Sequence, residues 1–235
     1  MVKITLLLLT LCLCASGQTK RVLRTIFVDA PKSAPKSVIL YIAKESSSIN
    51  SRSLLPKGEA IQGELLRTRF SSNIQIPSGN LVAWILNEVP NAEEGIPAGA
   101  QKIKLPSSWS KIGLVFKHDP ENKIFPAKVI PINLSAESFK PGNIMIYNLS
   151  KAQMIGRFGS TEVKLKPNTF KIISTPISEN KSYIANIDCI LPGTKERLKV
   201  ASSRWVGYKD IREIKFMFDT VNSKKPRMWG IKDKL

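Results

Sequence analysis

The feature that most constrains this fold is a series of short alternating segments with no helical pattern among them. Apolar and polar residues alternate with a period of two, and Pro, Gly, Asn and Ser separate the segments. No window of helical length carries a capped apolar stripe of 3.6-residue period. The strand-like segments are residues 22–28, 38–42, 81–86, 112–116, 144–149, 169–173, 183–191, 214–218 and 228–231. This spacing predicts an all-β protein of antiparallel sandwiches rather than βαβ units.

A domain boundary is expected near residues 135–140. Before it, residues 124–134 form an extended run in which Pro126 and Pro131 cannot donate backbone hydrogen bonds, so the run suits an edge strand or a connector. After it, a new series of strands begins. A chain of 235 residues can bury one or two cores. We therefore predict two consecutive β-sandwich-like domains, over residues 18–136 and 137–235, after a leader over residues 1–17.

The predicted leader has the layout of a secretory signal peptide. Lys3 precedes an apolar run over residues 4–14, and Ala15 and Gly17 are small enough for cleavage before Gln18. The run is shorter than the roughly 20 residues that a membrane-spanning helix needs. These features predict an exported protein, periplasmic or extracellular, with no transmembrane segment in the mature chain.

Lipoprotein anchoring is the competing interpretation of the same segment. Cys12 or Cys14 could carry the lipid, but each follows a leucine where a small residue is expected. This alternative is therefore the less well supported one. Cleavage before Gln18 would leave Cys189 as the only cysteine, so no internal disulfide could form. We interpret Cys189 as a small buried hydrophobic residue.

The two halves share one faint similarity. Residues 74–79 form a strand and a proline-containing turn leading into residues 81–85, and residues 163–168 lead into residues 169–173 in the same way. Any β-protein produces such hairpins, so common ancestry of the halves stays open.

Residues 141–174 carry a recurring pattern: a strand ending in Asn-Leu-Ser, a Gly-containing strand, and a Leu-x-Pro turn into the next strand. The matching positions are Asn148, Leu149, Ser150, Gly156, Gly159, Leu165 and Pro167, with comparable features at residues 77–79 and 203–205. On these residues the chain resembles an uncharacterised family of signal-peptide-bearing bacterial β-rich secreted or periplasmic proteins. The resemblance covers most of the mature chain and implies a secreted β-rich protein. It implies no activity and no catalytic residues.

Few residues are suited to catalysis. A Ser-His-Asp or Cys-His arrangement could use only His118, the single histidine, which we interpret as a turn residue beside Asp119 and Pro120. Zinc sites built from several His or Cys ligands lack their ligands. Two Ser-x-x-Lys pairs, Ser33/Lys36 and Ser108/Lys111, fall in loops. We therefore predict no enzyme, no catalytic residue, no cofactor and no metal site.

The excess of positive charge is the remaining functional signal. The chain has 36 Lys and Arg against 18 Asp and Glu, and residues 195–235 contain 12 against 5. A candidate surface for an anionic ligand consists of Arg204, Trp205, Tyr208, Lys209, Lys224, Lys225, Arg227 and Trp229. Alternatively, the tryptophans anchor a core and the lysines solvate an outer face. Export disfavours nucleic acid and favours an anionic envelope polymer or an acidic protein as partner.

Three function hypotheses follow from these observations. The leading one is an exported, non-enzymatic binding or structural module of the cell envelope. The second is an accessory subunit that docks on an envelope protein complex by strand addition, with residues 124–134 as the edge to test. The third is a hydrolase whose site is assembled from distant residues, with a deep pocket around Ser, Lys or His118 as its signature.

Overall fold

The computed structural model describes residues 21–47, 49–50, 53–176, 181–220 and 223–234, which contain eighteen β-strands and no helix. The predicted all-β class is confirmed, and the predicted leader lies outside the described residues. The strands are β1 (Arg21–Phe27), β2 (Ser37–Lys44), β3 (Ile49–Asn50), β4 (Ser53–Pro56), β5 (Gly58–Glu64), β6 (Ile74–Ile76), β7 (Leu81–Leu86), β8 (Gln101–Leu105), β9 (Lys111–His118), β10 (Ala127–Asn133), β11 (Asn143–Asn148), β12 (Gln153–Phe158), β13 (Thr161–Leu165), β14 (Thr169–Ser174), β15 (Ser182–Ile190), β16 (Arg197–Val206), β17 (Ile211–Phe218) and β18 (Arg227–Lys234).

Four four-stranded sheets form two sandwiches, as predicted. Sheet A has the order β10-β9-β1-β6, and sheet B has the order β5-β2-β7-β8. Sheet C has the order β14-β11-β17-β18, and sheet D has the order β13-β12-β15-β16. Strands β3 and β4 pair separately. The segment between β10 and β11 contains the predicted boundary at residues 136 and 137, and the exact domain limits stay a prediction.

Two strand pairs are parallel, whereas the sequence analysis expected antiparallel sheets throughout. Strand β1 pairs in parallel with β9, and β11 pairs in parallel with β17. In each half, a long connection that builds the opposite sheet separates the two partners. Such a connection gives the chain room to return in the same direction, which a tight hairpin turn cannot do.

The two halves have the same topology. Sheet A, read as β10-β9-β1-β6, corresponds strand by strand to sheet C read as β18-β17-β11-β14, and sheets B and D correspond in the same way. The sequence similarity noted above does not mark this repeat. It aligns β6 with β13, whereas β6 corresponds to β14 and β13 corresponds to β5.

The two sandwiches pack directly on each other, so the protein is a stack of four sheets in the order B-A-C-D. One core lies between sheets A and B, and a second lies between sheets C and D. A third core joins sheets A and C and includes Ile26, Val115, Met145, Phe216 and Ile231. Sheets A and C are therefore buried on both faces. The continuous apolar runs of β9 and β11 reflect this double burial.

A charged cluster lies within this third core. The Asp233 carboxylate pairs with Arg24 at 2.5 Å, with Arg212, and with Lys111 at 4.0 Å. Arg212 is fully buried and also donates from Nη1 to the carbonyl oxygens of Leu134 and Phe139, at 2.6 and 3.0 Å. The cluster contains residues of both sandwiches, so its ion pairs stabilise the packing of one sandwich on the other.

The Asn-Leu-Ser motif has a structural role in a buried turn. The Asn148 amide donates to the carbonyl oxygens of Ala152, Leu165 and Lys166, at 2.8, 3.2 and 3.2 Å. Its Oδ1 accepts from the backbone N–H and the hydroxyl of Ser150, at 3.0 and 2.7 Å. These bonds tie the turn after β11 to the turn after β13, which accounts for the spacing of Asn148, Ser150 and Leu165.

Candidate functional site

In residues 195–235, the positive and negative side chains differ in how far they are buried. Ten of the twelve lysines and arginines are exposed, whereas two of the five acids, Glu213 and Asp233, are buried. Those two acids pair with the remaining cations: Glu213 with Lys215 at 3.2 Å, and Asp233 with Arg212. The surplus positive charge therefore lies on the exterior, where it sets the surface potential.

Much of this charge collects along one side of the second sandwich. Strands β16 and β18 are edge strands of sheets D and C on the same side. The Lys225 amine donates to the Lys199 carbonyl at 3.0 Å, and the Lys232 amine donates to the Tyr208 hydroxyl at 2.7 Å. The two strands therefore run side by side. We call this surface the basic flank, and its exposed cations are Lys199, Arg204, Lys209, Lys224, Lys225, Arg227 and Lys232.

The structure brings six of the eight predicted surface residues to this flank. They are Arg204, Tyr208, Lys209, Lys224, Lys225 and Arg227. Tyr208 already has a cation above its ring, because the Lys232 amine lies 4.0 Å from the ring centroid. The flank is thus a row of charges with one occupied aromatic ring.

The two tryptophans are half-buried, and each packs one side of its ring against a core. The Trp205 ring packs 5.3 Å from Phe158 and 6.2 Å from Tyr183, against the core between sheets C and D. The Trp229 ring stacks on Phe216 at 6.1 Å, against the core between sheets A and C. This packing agrees with the alternative interpretation of the two tryptophans as core anchors, and their part in binding a ligand stays a prediction.

Cys189 is fully buried in the core between sheets C and D, which confirms its interpretation as a small buried hydrophobic residue. Burial raises the pKa of its thiol and so disfavours the nucleophilic thiolate. His118 is the last residue of β9 rather than a turn residue. The Asp29 carboxylate lies beside it but accepts the His118 backbone N–H at 2.6 Å, so it does not orient the imidazole.

The Ser-x-x-Lys pairs lie largely in exposed turns, and Lys111 has a different charged neighbour. Ser33 and Lys36 are both exposed in turns. Ser108 is also exposed, and the Lys111 amine instead lies 4.0 Å from Asp233. Burial and the nearby guanidinium groups lower the pKa of Lys111, and the Asp233 carboxylate, which raises that pKa, offsets only part of their effect. Lys111 therefore belongs to the charged cluster of the third core.

The segment proposed for strand addition contains an edge strand, and part of its free edge is already hydrogen-bonded within the protein. Strand β10 lies at the end of sheet A. The Gln101 side chain donates to the Val129 carbonyl at 2.7 Å and accepts from the Val129 N–H at 2.8 Å. Val129 therefore directs its backbone groups away from β9, as does Pro131 two residues later. Since Pro131 has no N–H, this edge offers an incoming strand few partners.

Comparisons with known proteins assign no family to this chain. No protein-family model matches it, and no curated protein matches it. One similar solved structure is a Bacteroides eggerthii protein, provisionally described as a cell adhesion protein. It has 6% identity and a TM-score of 0.25, and the match covers 92% of this chain and 96% of that one. A likeness at this level assigns no function.

Membrane and metal features complete the description of the surface. Within the described ranges, no helix is long and apolar enough to cross a membrane. The same residues contain no group of three or more His, Cys, Asp or Glu side chains placed to hold a metal ion.

Proposed function

We propose that this protein is an exported, non-enzymatic binding or structural module of the cell envelope, and that the basic flank makes its contacts. The observation that carries the proposal is the separation of charge in the second sandwich. The buried acids Asp233 and Glu213 pair with Arg212 and Lys215, while ten cations of residues 195–235 are exposed. An exterior of this kind attracts polyanions and acidic surfaces.

The partner that fits the flank is an anionic envelope polymer or an acidic protein surface. The flank is an extended row along two edge strands, so it suits a long partner better than a compact one. Lysine outnumbers arginine in it, which favours diffuse charge attraction over bidentate recognition. Binding of this kind weakens as salt is added, because each neutralised phosphate, sulfate or carboxylate releases a counterion.

Salt-dependent retention on a sulfated polysaccharide column tests this proposal. The test variant carries Lys224→Gln, Lys225→Gln and Arg227→Gln. The control carries Lys164→Gln, Lys166→Gln and Lys171→Gln, which lie at or beside strands β13 and β14 on the opposite side of the same sandwich. Both variants lose the same charge, so a difference between them reports position alone.

We expect the test variant to elute at clearly lower salt than the control. The slope of log affinity against log salt should fall by up to about three, roughly one per cation removed. Equal elution of the two variants would show that net charge, not the flank, determines binding. A single stoichiometric partner that stays bound at high salt would favour docking on an envelope complex instead.

Export itself is tested by fractionating cells and sequencing the amino terminus of the native protein. Cleavage after Gly17 would give a mature chain beginning at Gln18. A lipid on Cys12 or Cys14 would place it in the membrane fraction instead. Recovery of the intact chain from the cytoplasm would contradict the proposal.

A further inference from the structure

The outer face of sheet B differs from the outer face of sheet D, although the two sheets correspond strand by strand. Tyr41, Val82 and Leu86 are buried but lie outside the core between sheets A and B, while their neighbours along each strand belong to that core. They therefore point to the outer face. On the outer face of sheet D, the paired residues Arg157 and Asn186 are not buried. The shared fold thus does not require an apolar outer face on sheet B.

Two long connections of the first sandwich cover this apolar face. Residues 45–57 lie between β2 and β5, and residues 87–100 lie between β7 and β8. The corresponding connections of the second sandwich, residues 159–160 and 191–196, are much shorter. A backbone hydrogen bond of 3.0 Å from Leu54 joins the two long connections. Long connections on a rigid β-scaffold are where binding sites are commonly built.

A groove with a volume of about 320 Å³ stays open between the two connections. This volume lies within the range of about 300–1,000 Å³ typical of small-molecule sites. Its floor contains Val82 and the half-buried Trp84, and its walls contain Leu54, Pro56 and Ile96. Leu54 is 56% exposed, so the groove is open to solvent on that side. We call it the outer groove.

Charged side chains follow one side of the outer groove. Lys102 lies directly opposite Trp84 in the strand pair, and Lys104 lies opposite Val82. The Lys102 amine is 5.2 Å from the centroid of the Trp84 ring. Glu45 pairs with Lys104 at 2.7 Å, and Lys104 and, more weakly, Lys102 lower the pKa of its carboxyl group. Two lysines therefore face one glutamate, which leaves a surplus of positive charge beside the aromatic floor.

We propose that the outer groove binds a sugar residue that carries a carboxylate, as in an acidic polysaccharide. A pyranose ring has a face of C–H groups, which packs on the electron-rich face of an indole ring. That face lies on Trp84 between Leu54 and Ile96, the carboxylate lies beside Lys102, and a ring hydroxyl donates to Glu45. Because the groove is open at Leu54, the residue can belong to a longer chain. This site lies on the first sandwich and does not depend on the basic flank.

The indole N–H signals make the test specific. The chain has four tryptophans, and in ¹⁵N-labelled protein the Trp84 signal is the one that Trp84→Phe removes. The probe is trigalacturonate, and neutral maltotriose is the uncharged comparison. The Trp205 signal, assigned in the same way, reports on the second sandwich and so reveals binding at the basic flank.

We expect trigalacturonate to give a saturable shift of the Trp84 signal. Lys102→Gln should weaken this binding several-fold and leave the weaker binding of maltotriose unchanged, since only the charged ligand uses the amine. Trp84→Ala should weaken trigalacturonate binding at least roughly tenfold, because it removes the apolar floor. Calorimetry measures that loss in protein that also carries the three flank substitutions given above. The control Lys164→Gln, on the outer face of sheet D, should change nothing.

A Trp84 signal that does not move over the full titration would overturn the proposal, as would equal binding by Trp84→Ala and Lys164→Gln. Equal affinity for maltotriose would refute the preference for an acidic sugar. A thermal melt of each variant checks its fold. If Trp84→Ala does not fold, the exposed substitution Lys102→Gln decides instead, and unchanged trigalacturonate binding by it would contradict the site. Loss of flank binding with an intact Trp84 shift, or the reverse, separates this inference from the proposed function.

Discussion

Replacing Asp233 with asparagine tests how strongly the third core depends on its charged cluster. The Asp233 side chain is 1% exposed and faces Arg24, Lys111 and the fully buried Arg212. The substitution Asp233→Asn keeps the shape of the side chain and removes its charge. Two guanidinium groups and an ammonium group would then share a largely dry site with no counterion.

The magnitude follows from the burial of these groups. Removing one partner of a buried ion pair costs about 3–5 kcal/mol, because the other charge stays buried and uncompensated. Arg212 is held in place by the Leu134 and Phe139 carbonyls and cannot turn toward solvent without breaking both bonds. For a chain of this size, such a loss lowers Tm by roughly 6–20 °C.

Urea unfolding followed by tryptophan fluorescence measures the effect, since Trp229 stacks within the same core. The matched control is Asp188→Asn, which breaks an ion pair with the half-exposed Arg197 at 2.6 Å. That surface pair is worth less than about 1 kcal/mol. If Asp233→Asn costs no more than the control, the cluster does not stabilise the stacking of the two sandwiches.

Two further predictions concern buried groups of the second sandwich. Burial raises the pKa of the Tyr183 phenol. Above pH 10, near the ordinary pKa of tyrosine, the unfolded chain therefore releases this proton while the native protein retains it. The free energy of unfolding should fall as the pH rises through that range. The substitution Tyr183→Phe should reduce this loss of stability at alkaline pH. Because it also removes an unpartnered hydroxyl, it should stabilise the protein by about 1 kcal/mol. Urea unfolding between pH 8 and 11 measures both effects, and an unchanged pH profile would show that other groups cause the loss. In protein lacking residues 1–17, Cys189 should react with a thiol reagent only after unfolding, because it has no exposed surface. Rapid labelling of the folded protein would contradict its placement in the core.

The strands that sequence reasoning found and those it missed differ in a physical way. The predicted segments overlap the interior strands, such as β1, β9, β11 and β17, whose apolar residues face one core or two. Strands β5, β8 and β16 were among those missed, and all three are edges of the outer sheets B and D. The edge strands β14 and β18 were found, and they belong to sheet C, which is buried on both faces. An edge strand of an outer sheet shows little apolar patterning because much of it faces solvent: most residues of β5 and β16 are exposed or half-buried.

The candidate sites were predictable to different degrees. The flank lysines and arginines could be identified from composition, because such side chains are almost always exposed. The direction of Trp205 and Trp229 could not, since a strand offers each residue one of two faces, and only the packing decides which face is inside.

The sequence by itself determined the structural class of the protein and the sign of its surface charge. Both depend on local properties. The two-residue period of apolar and polar residues predicts strands, and the excess of Lys and Arg makes the surface potential positive. Only the tertiary structure decided that β1 pairs with β9, that β11 pairs with β17, and that sheets A and C are buried against each other. These arrangements join residues about 70–90 positions apart, and the free energy of such pairings depends on the whole stack rather than on any one segment.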